Sequence, residues 1–281
     1  MGVKLSYDAW GRGELPVLLL HGFTGDRTSW DHLRPRLETR VRALVVDLPG
    51  HGRSGLPVET GRAGFEETVD SLADLVGQAV QGCVDVIGYS QGARLALGLA
   101  VRWPRRVRRL VLESGSPGLS APKLRGARRR EDSALADRLR EQGIELFIEQ
   151  WARRPIFNGL RKLPPPLAGA LRARRLAQSA KGLAGALLCL GSGVQPNYWP
   201  ALPLVRAPTL LLTGSVDEKF TRVAREMAAQ LPMGWLRVFE GSGHAPHLEA
   251  PDAYASEVLG FLGTPWFDAP CAPANEMEEC G

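Results

Sequence analysis

The 281-residue sequence contains no run of about 18 or more apolar residues, and its first ten residues lack the basic start and apolar core of a signal peptide. It has only 4 cysteines, and no two of them have the spacing of a zinc finger or a thioredoxin motif. These absences argue against export, membrane insertion, a structural metal and a disulfide framework. We therefore expect a protein of the reducing cytoplasm with no stable membrane association, no metal and no cofactor. The sequence carries no signal of oligomeric state.

Positive charge is concentrated in one stretch of the chain. Residues 119–199 contain 12 arginines and 3 lysines but only 6 acidic residues, whereas the whole sequence has a formal net charge of +5. The arginines alternate with helix-spaced Leu and Ala, and no zinc finger or aromatic ribonucleoprotein motif accompanies them. The sequence therefore predicts no nucleic-acid binding, despite its basic segment.

Short unbroken runs of Val, Ile and Leu recur along the chain, and each run ends in Gly, Asp, Ser or His. Strands that are buried on both faces have this pattern, and several of the intervening segments have helical spacing. The alternation predicts an α/β fold with a mostly parallel sheet flanked by helices, and ligands bound at the carboxyl ends of the strands. The runs lie at 16–22, 42–52, 84–90, 110–118, 208–214 and 235–244.

The alternation of strands and helices stops after Gly118 and resumes at Pro208. The stretch between them contains helix-like segments around the breaker "LPPPL". We interpret residues 119–199 as a helical cap inserted over the carboxyl ends of the strands, and residues 1–118 and 200–263 as the core. Residues 264–281 mix Pro, Ala and acidic residues without a period, which predicts a mobile acidic tail.

A candidate nucleophile lies in the motif "GYSQG", which follows a predicted strand and precedes a predicted helix. This context is that of a nucleophile elbow, which would expose Ser90 on a tight turn. In the α/β-hydrolase fold, where such elbows occur, the acid and then the histidine follow the nucleophile along the chain. Asp217 and His244 each come just after a later strand. We predict a triad in which Asp217 orients His244 and His244 takes the proton of Ser90. A helix cap is the alternative role for Asp217, and His247 competes with His244.

The loop after the first apolar run begins "HGF" and is expected to point a backbone N–H, that of Phe23, at a developing oxyanion. The second N–H of this oxyanion hole would come from Gln91, directly after the nucleophile. His51 and His32 are interpreted as hydrogen-bonded structural histidines, and Cys83 as a small core residue.

Several motifs are more particular than the elbow. The segments "ESGSPGL", "ARRREDSALADRL", "FIEQWARRPIF", "QPNYW" and "DEKF" resemble those of the 2-succinyl-6-hydroxy-2,4-cyclohexadiene-1-carboxylate synthases, a family of menaquinone biosynthesis within the α/β-hydrolase superfamily. The likeness runs from about Pro16 to Pro251. Ala93 departs from it, because a second glycine is common at that position, and the acidic tail has no counterpart.

The resemblance implies a lyase that removes pyruvate from a cyclohexene carrying three carboxylates. Ser90, made basic by His244 and Asp217, would remove a carbon-bound ring proton instead of attacking a carbonyl. No acyl-enzyme is then expected to accumulate.

The resemblance also implies a substrate-binding set, with Arg94, Arg128 and Arg175 as carboxylate ligands and Tyr89 and Trp151 as pocket wall. A guanidinium offers planar, forked donors that match a carboxylate. Arg94 lies one turn beyond Ser90 on a helix expected to pack into the core, where an unpaired charge would be costly. Judged by spacing alone, the other two arginines could lie on solvated helix faces, and both aromatic residues could be core.

Two other functions are compatible with the same fold. One is a serine hydrolase of small esters or carbon–carbon bonds. The other is a non-catalytic ligand receptor that retains the triad. Arginines directed into the pocket would favour the lyase, whereas a neutral apolar cavity above the elbow would favour an esterase.

Overall fold

The computed structural model describes residues 2–80 and 82–265. Within them, seven strands form one sheet in the order β1-β3-β2-β4-β5-β6-β7. β1 pairs antiparallel with β3, and the other neighbouring pairs are parallel. The predicted mostly parallel α/β fold is therefore confirmed. The strands are β1 (Tyr7–Trp10), β2 (Leu15–Leu20), β3 (Val41–Val46), β4 (Val84–Tyr89), β5 (Val107–Glu113), β6 (Thr209–Gly214) and β7 (Gly234–Phe239).

Helices connect these strands and flank the sheet. The α-helices are α1 (Arg34–Leu37), α2 (Gly61–Ala79), α3 (Gln91–Arg102), α4 (Pro122–Ala152), α5 (Pro165–Leu176), α6 (Ala180–Leu190), α7 (Glu218–Ala228), α8 (Pro246–Glu249) and α9 (Pro251–Gly263). Short 3₁₀ helices span Arg27–Trp30, Pro104–Arg106, Pro155–Lys162 and Trp199–Leu204. None of the helices in the described ranges is long and apolar enough to span a membrane.

The sheet separates two apolar layers, and β2 shows how the sequence fills both. Leu18 and Leu20 belong to the cluster that contains residues of α2 and α3, whereas Val17 and Leu19 belong to the cluster that contains residues of α9. Successive side chains of a strand point to opposite faces, so an unbroken apolar run is what a doubly covered strand requires. β1 was missed from the sequence because three of its four residues are exposed, and it therefore carries no apolar run.

The segment between β5 and β6 contains the helices α4, α5 and α6. Helices α4 and α6 share an apolar cluster of their own, which includes Leu139, Phe147 and Leu183. Gly143, at φ +79°, interrupts α4 with a kink that a residue with a Cβ would strain to adopt. Most of the stretch predicted to be an acidic tail, from residue 266 onward, lies outside the described residues.

The two cysteines before the last helix differ in state. Cys189 is a free, buried thiol. Cys83 is disulfide-bonded. Cys83 is buried, as expected for a small core residue, but its disulfide was not expected, because the spacing of cysteines in a sequence does not reveal which of them meet in the fold.

Candidate active site

Ser90 occupies a strained turn between the last residue of β4 and the first of α3. Its φ of +50° and ψ of −102° lie in a region that residues with a side chain rarely adopt. The flanking glycines make the turn possible. A Cβ on Gly88 would lie 2.5 Å from the carbonyl oxygen of Gly92, and one on Gly92 would lie 2.1 Å from that of Leu20. The turn therefore requires the two glycines of the motif "GYSQG".

Hydrogen bonds connect the three residues of the expected triad. His244 Nε2 lies 3.1 Å from Ser90 Oγ, and His244 Nδ1 lies 2.6 Å from Asp217 Oδ2. An acidic partner at Nδ1 places the ring proton there, so Nε2 is left to accept the hydroxyl proton of Ser90. Asp217 also caps α7, because its Oδ1 accepts a hydrogen bond from the backbone N–H of Phe220 at 3.3 Å. Both roles considered for Asp217 therefore occur together, on different oxygens.

His247, the competing histidine, bonds to a different acid. Its Nδ1 lies 2.7 Å from Glu113 Oε1, and its backbone N–H donates to the same oxygen at 3.1 Å. Both side chains are buried. Glu113 also accepts a hydrogen bond from Ser90 N at its backbone oxygen, 2.8 Å away. The Tyr89 ring lies 4.5 Å from the His247 ring and 5.6 Å from that of His244. His247 and Glu113 thus form a second acid–histidine pair next to the nucleophile. Sequence reasoning had assigned Glu113 no role.

Glu249 fixes the loop that carries His244. Its carboxylate accepts hydrogen bonds from the backbone N–H of Gly243 at 2.8 Å and of Ala245 at 3.1 Å, the two residues that flank the histidine. A charged acceptor shared by two backbone donors holds such a loop more firmly than a neutral one. Sequence reasoning missed this residue, although an acid one turn after "GHAP" was a signal available to it.

Two buried histidines hold the loop of the expected oxyanion hole. Leu48 N donates to His21 Nε2 at 3.0 Å, while His21 Nδ1 lies 2.7 Å from the oxygen of Gly22. Thr24 N donates to His51 Nε2 at 3.3 Å. Burial lowers the pKa of His21 to about 4 and that of His51 to about 3, so both rings are neutral near pH 7.

This loop lies against the nucleophile, as the expected oxyanion hole requires. A Cβ on Gly22, next to Phe23, would lie 3.6 Å from the Cβ of Ser90. Gln91 is the first residue of α3, and its backbone N–H therefore has no acceptor within the helix. Phe23 and Gln91 thus flank Ser90 from two different segments.

A small cavity of about 50 Å³ contains Ser90, and three of the expected substrate-binding residues line it: Tyr89, Trp151 and Arg175. Phe157 lines it too, with its ring 6.1 Å from that of His244 and 5.7 Å from that of Trp151. The Trp151 indole N–H is buried and has no hydrogen-bond acceptor among the described residues. This donor is therefore unused among the described residues.

Arg175 and its neighbour Arg174 are the two arginines that line this cavity. The Arg175 side chain is buried, its guanidinium carbon lies 5.3 Å from the centre of the Phe157 ring, and it forms no ion pair with any described residue. Burial lowers its pKa, and the charge is retained because guanidinium titrates so high. The preceding residue anchors the helix to the core: Arg174 Nε donates to Thr28 Oγ1 at 2.9 Å, and its Nη2 donates to the oxygen of Thr28 at 2.9 Å.

Arg94 and Arg128, the other two arginines of the expected set, do not line the cavity that contains Ser90. Arg94 Nη1 donates to the carbonyl oxygen of Leu190 at 2.7 Å. Burial, together with the nearby charge of Arg128, lowers the pKa of Arg94 to about 10. Arg128 Nε lies 2.8 Å from Asp132 Oδ1, one turn along α4. The structure thus brings Arg94 and Arg128 near each other and leaves Arg128 neutralised by an acid that sequence reasoning did not consider.

No group of three or more His, Cys, Asp or Glu side chains in residues 2–80 and 82–265 has an arrangement that could hold a metal ion.

The model of the Alpha/beta hydrolase family matches residues 17–257, a range that includes every residue of this site. A protein of Bacillus subtilis (strain 168), provisionally named 2-succinyl-6-hydroxy-2,4-cyclohexadiene-1-carboxylate synthase, is 35% identical over 88% of this chain and 89% of its own length. A protein of Serratia proteamaculans (strain 568) with that name is 30% identical over 91% of this chain and 96% of its own length. The solved structure of MenH from S. aureus matches with a TM-score of 0.86 and 32% identity, over 91% of this chain and 97% of that chain.

Proposed function

The chain belongs to the alpha/beta hydrolase family, and from that premise we propose that it catalyses the reaction for which its relatives are named, the formation of 2-succinyl-6-hydroxy-2,4-cyclohexadiene-1-carboxylate. It is a lyase of menaquinone biosynthesis. It eliminates pyruvate from 2-succinyl-5-enolpyruvyl-6-hydroxy-3-cyclohexene-1-carboxylate, a small substrate with three carboxylates, and adds no water. We place this reaction in the cytoplasm and assign helices α4–α6 to a cap over the active site.

The buried guanidinium of Arg175, without an acidic partner in the described residues, is the observation that carries this proposal. A desolvated cation in the wall of the Ser90 cavity favours an anionic substrate. The guanidinium has lost its hydrogen bonds to water, and a bound carboxylate replaces them. An esterase for neutral substrates gains nothing from such a residue. Trp151 Nε1 adds a neutral donor on the same wall.

The first chemical step is a proton transfer. Ser90 Oγ takes the acidic ring proton beside the succinyl ketone while His244 Nε2 takes the hydroxyl proton of Ser90, and Asp217 stabilises the imidazolium that forms. The electron pair of the broken C–H bond passes to the ketone oxygen as an enolate. The backbone N–H groups of Phe23 and Gln91 stabilise this oxyanion.

The second step breaks a carbon–oxygen bond. The enolate electrons form the second ring double bond, and the enolpyruvyl oxygen leaves with the electron pair of its bond to the ring. The proton held by His244 returns through the Ser90 hydroxyl to that oxygen, and the released enol becomes pyruvate. The triad regains its starting protonation, and no covalent intermediate forms on Ser90.

Three arginines would serve the three carboxylates of the substrate. Arg175 already lines the cavity, and Arg94 projects from the helix that begins beside Ser90. Arg128 has to exchange Asp132 for a substrate carboxylate to take this role. A hydrogen bond between charged groups contributes about 1.5–3 kcal/mol when it is desolvated.

The decisive experiment follows pyruvate release from the freshly prepared intermediate and, in parallel, hydrolysis of a chromogenic short-chain ester. We expect one pyruvate per substrate consumed, little ester turnover, and no acyl adduct on Ser90 by mass spectrometry of the intact protein. Fast ester hydrolysis without pyruvate would establish the serine hydrolase instead. Ligand binding without turnover of either compound, retained in Ser90→Ala, would establish a receptor.

A further inference from the structure

We propose that the groove between α4, α5 and the 3₁₀ helix Pro155–Lys162 is the entrance to the active site, where Arg161 and Arg172 collect the anionic substrate before it reaches Ser90. This inference rests on the proposed function for the identity of the substrate. It also gives a role to other arginines of residues 119–199, because among the arginines of that segment only Arg174 and Arg175 line the catalytic cavity.

The groove is much larger than the cavity that contains Ser90. Its volume is about 760 Å³, against about 50 Å³ for the catalytic cavity. Sites for small organic ligands usually measure about 300–1,000 Å³, so the groove has room for a substituted ring with three carboxylates and the catalytic cavity does not. Its apolar side chains include Leu146, Ile148 and Leu176.

The two spaces share a wall. Phe157, Leu160, Leu171 and Arg175 line both the groove and the catalytic cavity. A substrate in the groove therefore lies against residues that also line the cavity that contains Ser90. In this proposal, rotation of these shared side chains connects the two spaces, and the guanidinium of Arg175, which lines both, can bind a substrate carboxylate in either one.

The charge of the groove suits an anion. Four arginines and two glutamates line it, and one glutamate, Glu149, is 2.8 Å from Arg153 in an ion pair. Glu145 is the other acid. Arg161 and Arg172 are exposed and form neither an ion pair nor a hydrogen bond with any residue in the described ranges. Unneutralised cations along a concave surface raise the local concentration of an anion, and salt weakens this effect.

The kinetic test compares wild type with Arg161→Gln/Arg172→Gln and with Arg206→Gln. Arg206 is an exposed arginine just before β6 that does not line the groove, and it serves as the control for the loss of a surface charge. In about 20 mM salt we expect kcat/KM for pyruvate release to fall roughly tenfold in the double variant, with kcat within about twofold of wild type. The difference should vanish in about 0.5 M salt, and Arg206→Gln should match wild type throughout. An unchanged kcat/KM at low salt, or an equal loss in Arg206→Gln, overturns the proposal.

A chemical-labelling test is independent of turnover, so it separates failure of this inference from failure of the proposed function. Ala168 lines the groove, whereas Ala170 is exposed on the same helix and does not line it. Each is changed to Cys, and labelling rates are measured with an anionic sulfonate and a cationic ammonium thiol reagent, with wild type as the cysteine background. We expect the anionic reagent to be favoured at Ala168→Cys about fivefold more than at Ala170→Cys, and this preference to be lost with Arg161→Gln/Arg172→Gln. Equal preferences at the two positions contradict an anion-collecting groove, whatever the enzyme's reaction.

Discussion

Arg94 donates a hydrogen bond from Nη1 to the carbonyl oxygen of Leu190 at 2.7 Å, and so joins the helix of the nucleophile elbow to helix α6. The acceptor is neutral, and Arg94 forms no ion pair with any residue in the described part of the chain. Burial and the charge of Arg128 lower its pKa to about 10. A cation held in this way is unfavourable in the free protein and is ready to bind an anion.

Arg94→Ala is therefore expected to impair activity much more than stability. The loss of one desolvated carboxylate contact predicts a fall of about 10- to 100-fold in kcat/KM for pyruvate release. The free energy of unfolding should change by less than about 1 kcal/mol, because removal of the buried charge offsets the lost bond to Leu190. Steady-state kinetics and urea unfolding measure the two effects. Arg102 lies on the same helix as Arg94 and forms an ion pair with Asp70 of α2 near the surface, and Arg102→Ala should leave activity and stability nearly unchanged. Equal relative losses of activity and stability in Arg94→Ala would assign this residue to structure.

Asp217 performs two tasks with two oxygens, and substitutions can separate them. Asp217→Asn keeps an oxygen that can cap α7 but removes the charge beside His244 Nδ1. We expect kcat to fall by about 10³- to 10⁴-fold with little change in the free energy of unfolding. Asp217→Ala should lose similar activity and, in addition, about 1 kcal/mol of stability, since the cap is also removed. If the two variants unfold at the same urea concentration, the cap contributes nothing.

Glu249 acts on catalysis only through the position of His244, so its substitution should lower kcat and leave KM nearly constant. Glu249→Ala frees the N–H groups of Gly243 and Ala245, and we expect kcat to fall by roughly 10-fold or more. Glu249→Gln retains one acceptor oxygen and should recover part of that loss. A variant that raises KM at constant kcat would show that Glu249 instead shapes the binding pocket.

The sheet and the elbow could be predicted because each has a local signature, and the contacts of His244 with Ser90 and Asp217 agree with the positions of these residues just after predicted strands. An apolar run marks a doubly buried strand, and the glycines around Ser90 are required by contacts that any elbow of this geometry makes. The exposed edge strand β1 has no such signature and was missed.

The side chains that support the site were harder to predict. Glu113 acts through His247, 134 residues away, and only the fold shows that contact. Glu249 bonds to Gly243 and Ala245, which are 6 and 4 residues away, so its signal was local and was overlooked. The pairing of Arg128 with Asp132 is a local i,i+4 contact, yet the resemblance alone directed Arg128 to the substrate. Family motifs indicate which residues matter, whereas the charge balance at each one depends on the neighbours that the fold provides.

Two buried histidines make the stability of the folded protein depend on pH. His21 and His51 have pKa values of about 4 and about 3 in the folded protein, below the ordinary value of 6.5, because both are buried. Between about pH 4 and pH 6.5 the unfolded chain therefore binds more protons at these positions than the folded protein does. The free energy of unfolding therefore has its full value with respect to these two histidines above pH 6.5. It decreases as the pH falls through this window.

We expect the free energy of unfolding, measured in urea at several pH values, to fall steeply below pH 6. Each of these histidines contributes a slope of about 1.4 kcal/mol per pH unit where it is protonated only in the unfolded chain. His51→Gln removes one titrating ring and leaves an amide that can bond to Thr24 N, so its slope between about pH 4 and 5.5 should be smaller by that amount, whatever its absolute stability. If the free energy of unfolding depends on pH with the same slope in wild type and His51→Gln, the His51 ring takes up its proton in the folded protein. The loop that carries Phe23 would then tolerate a buried positive charge.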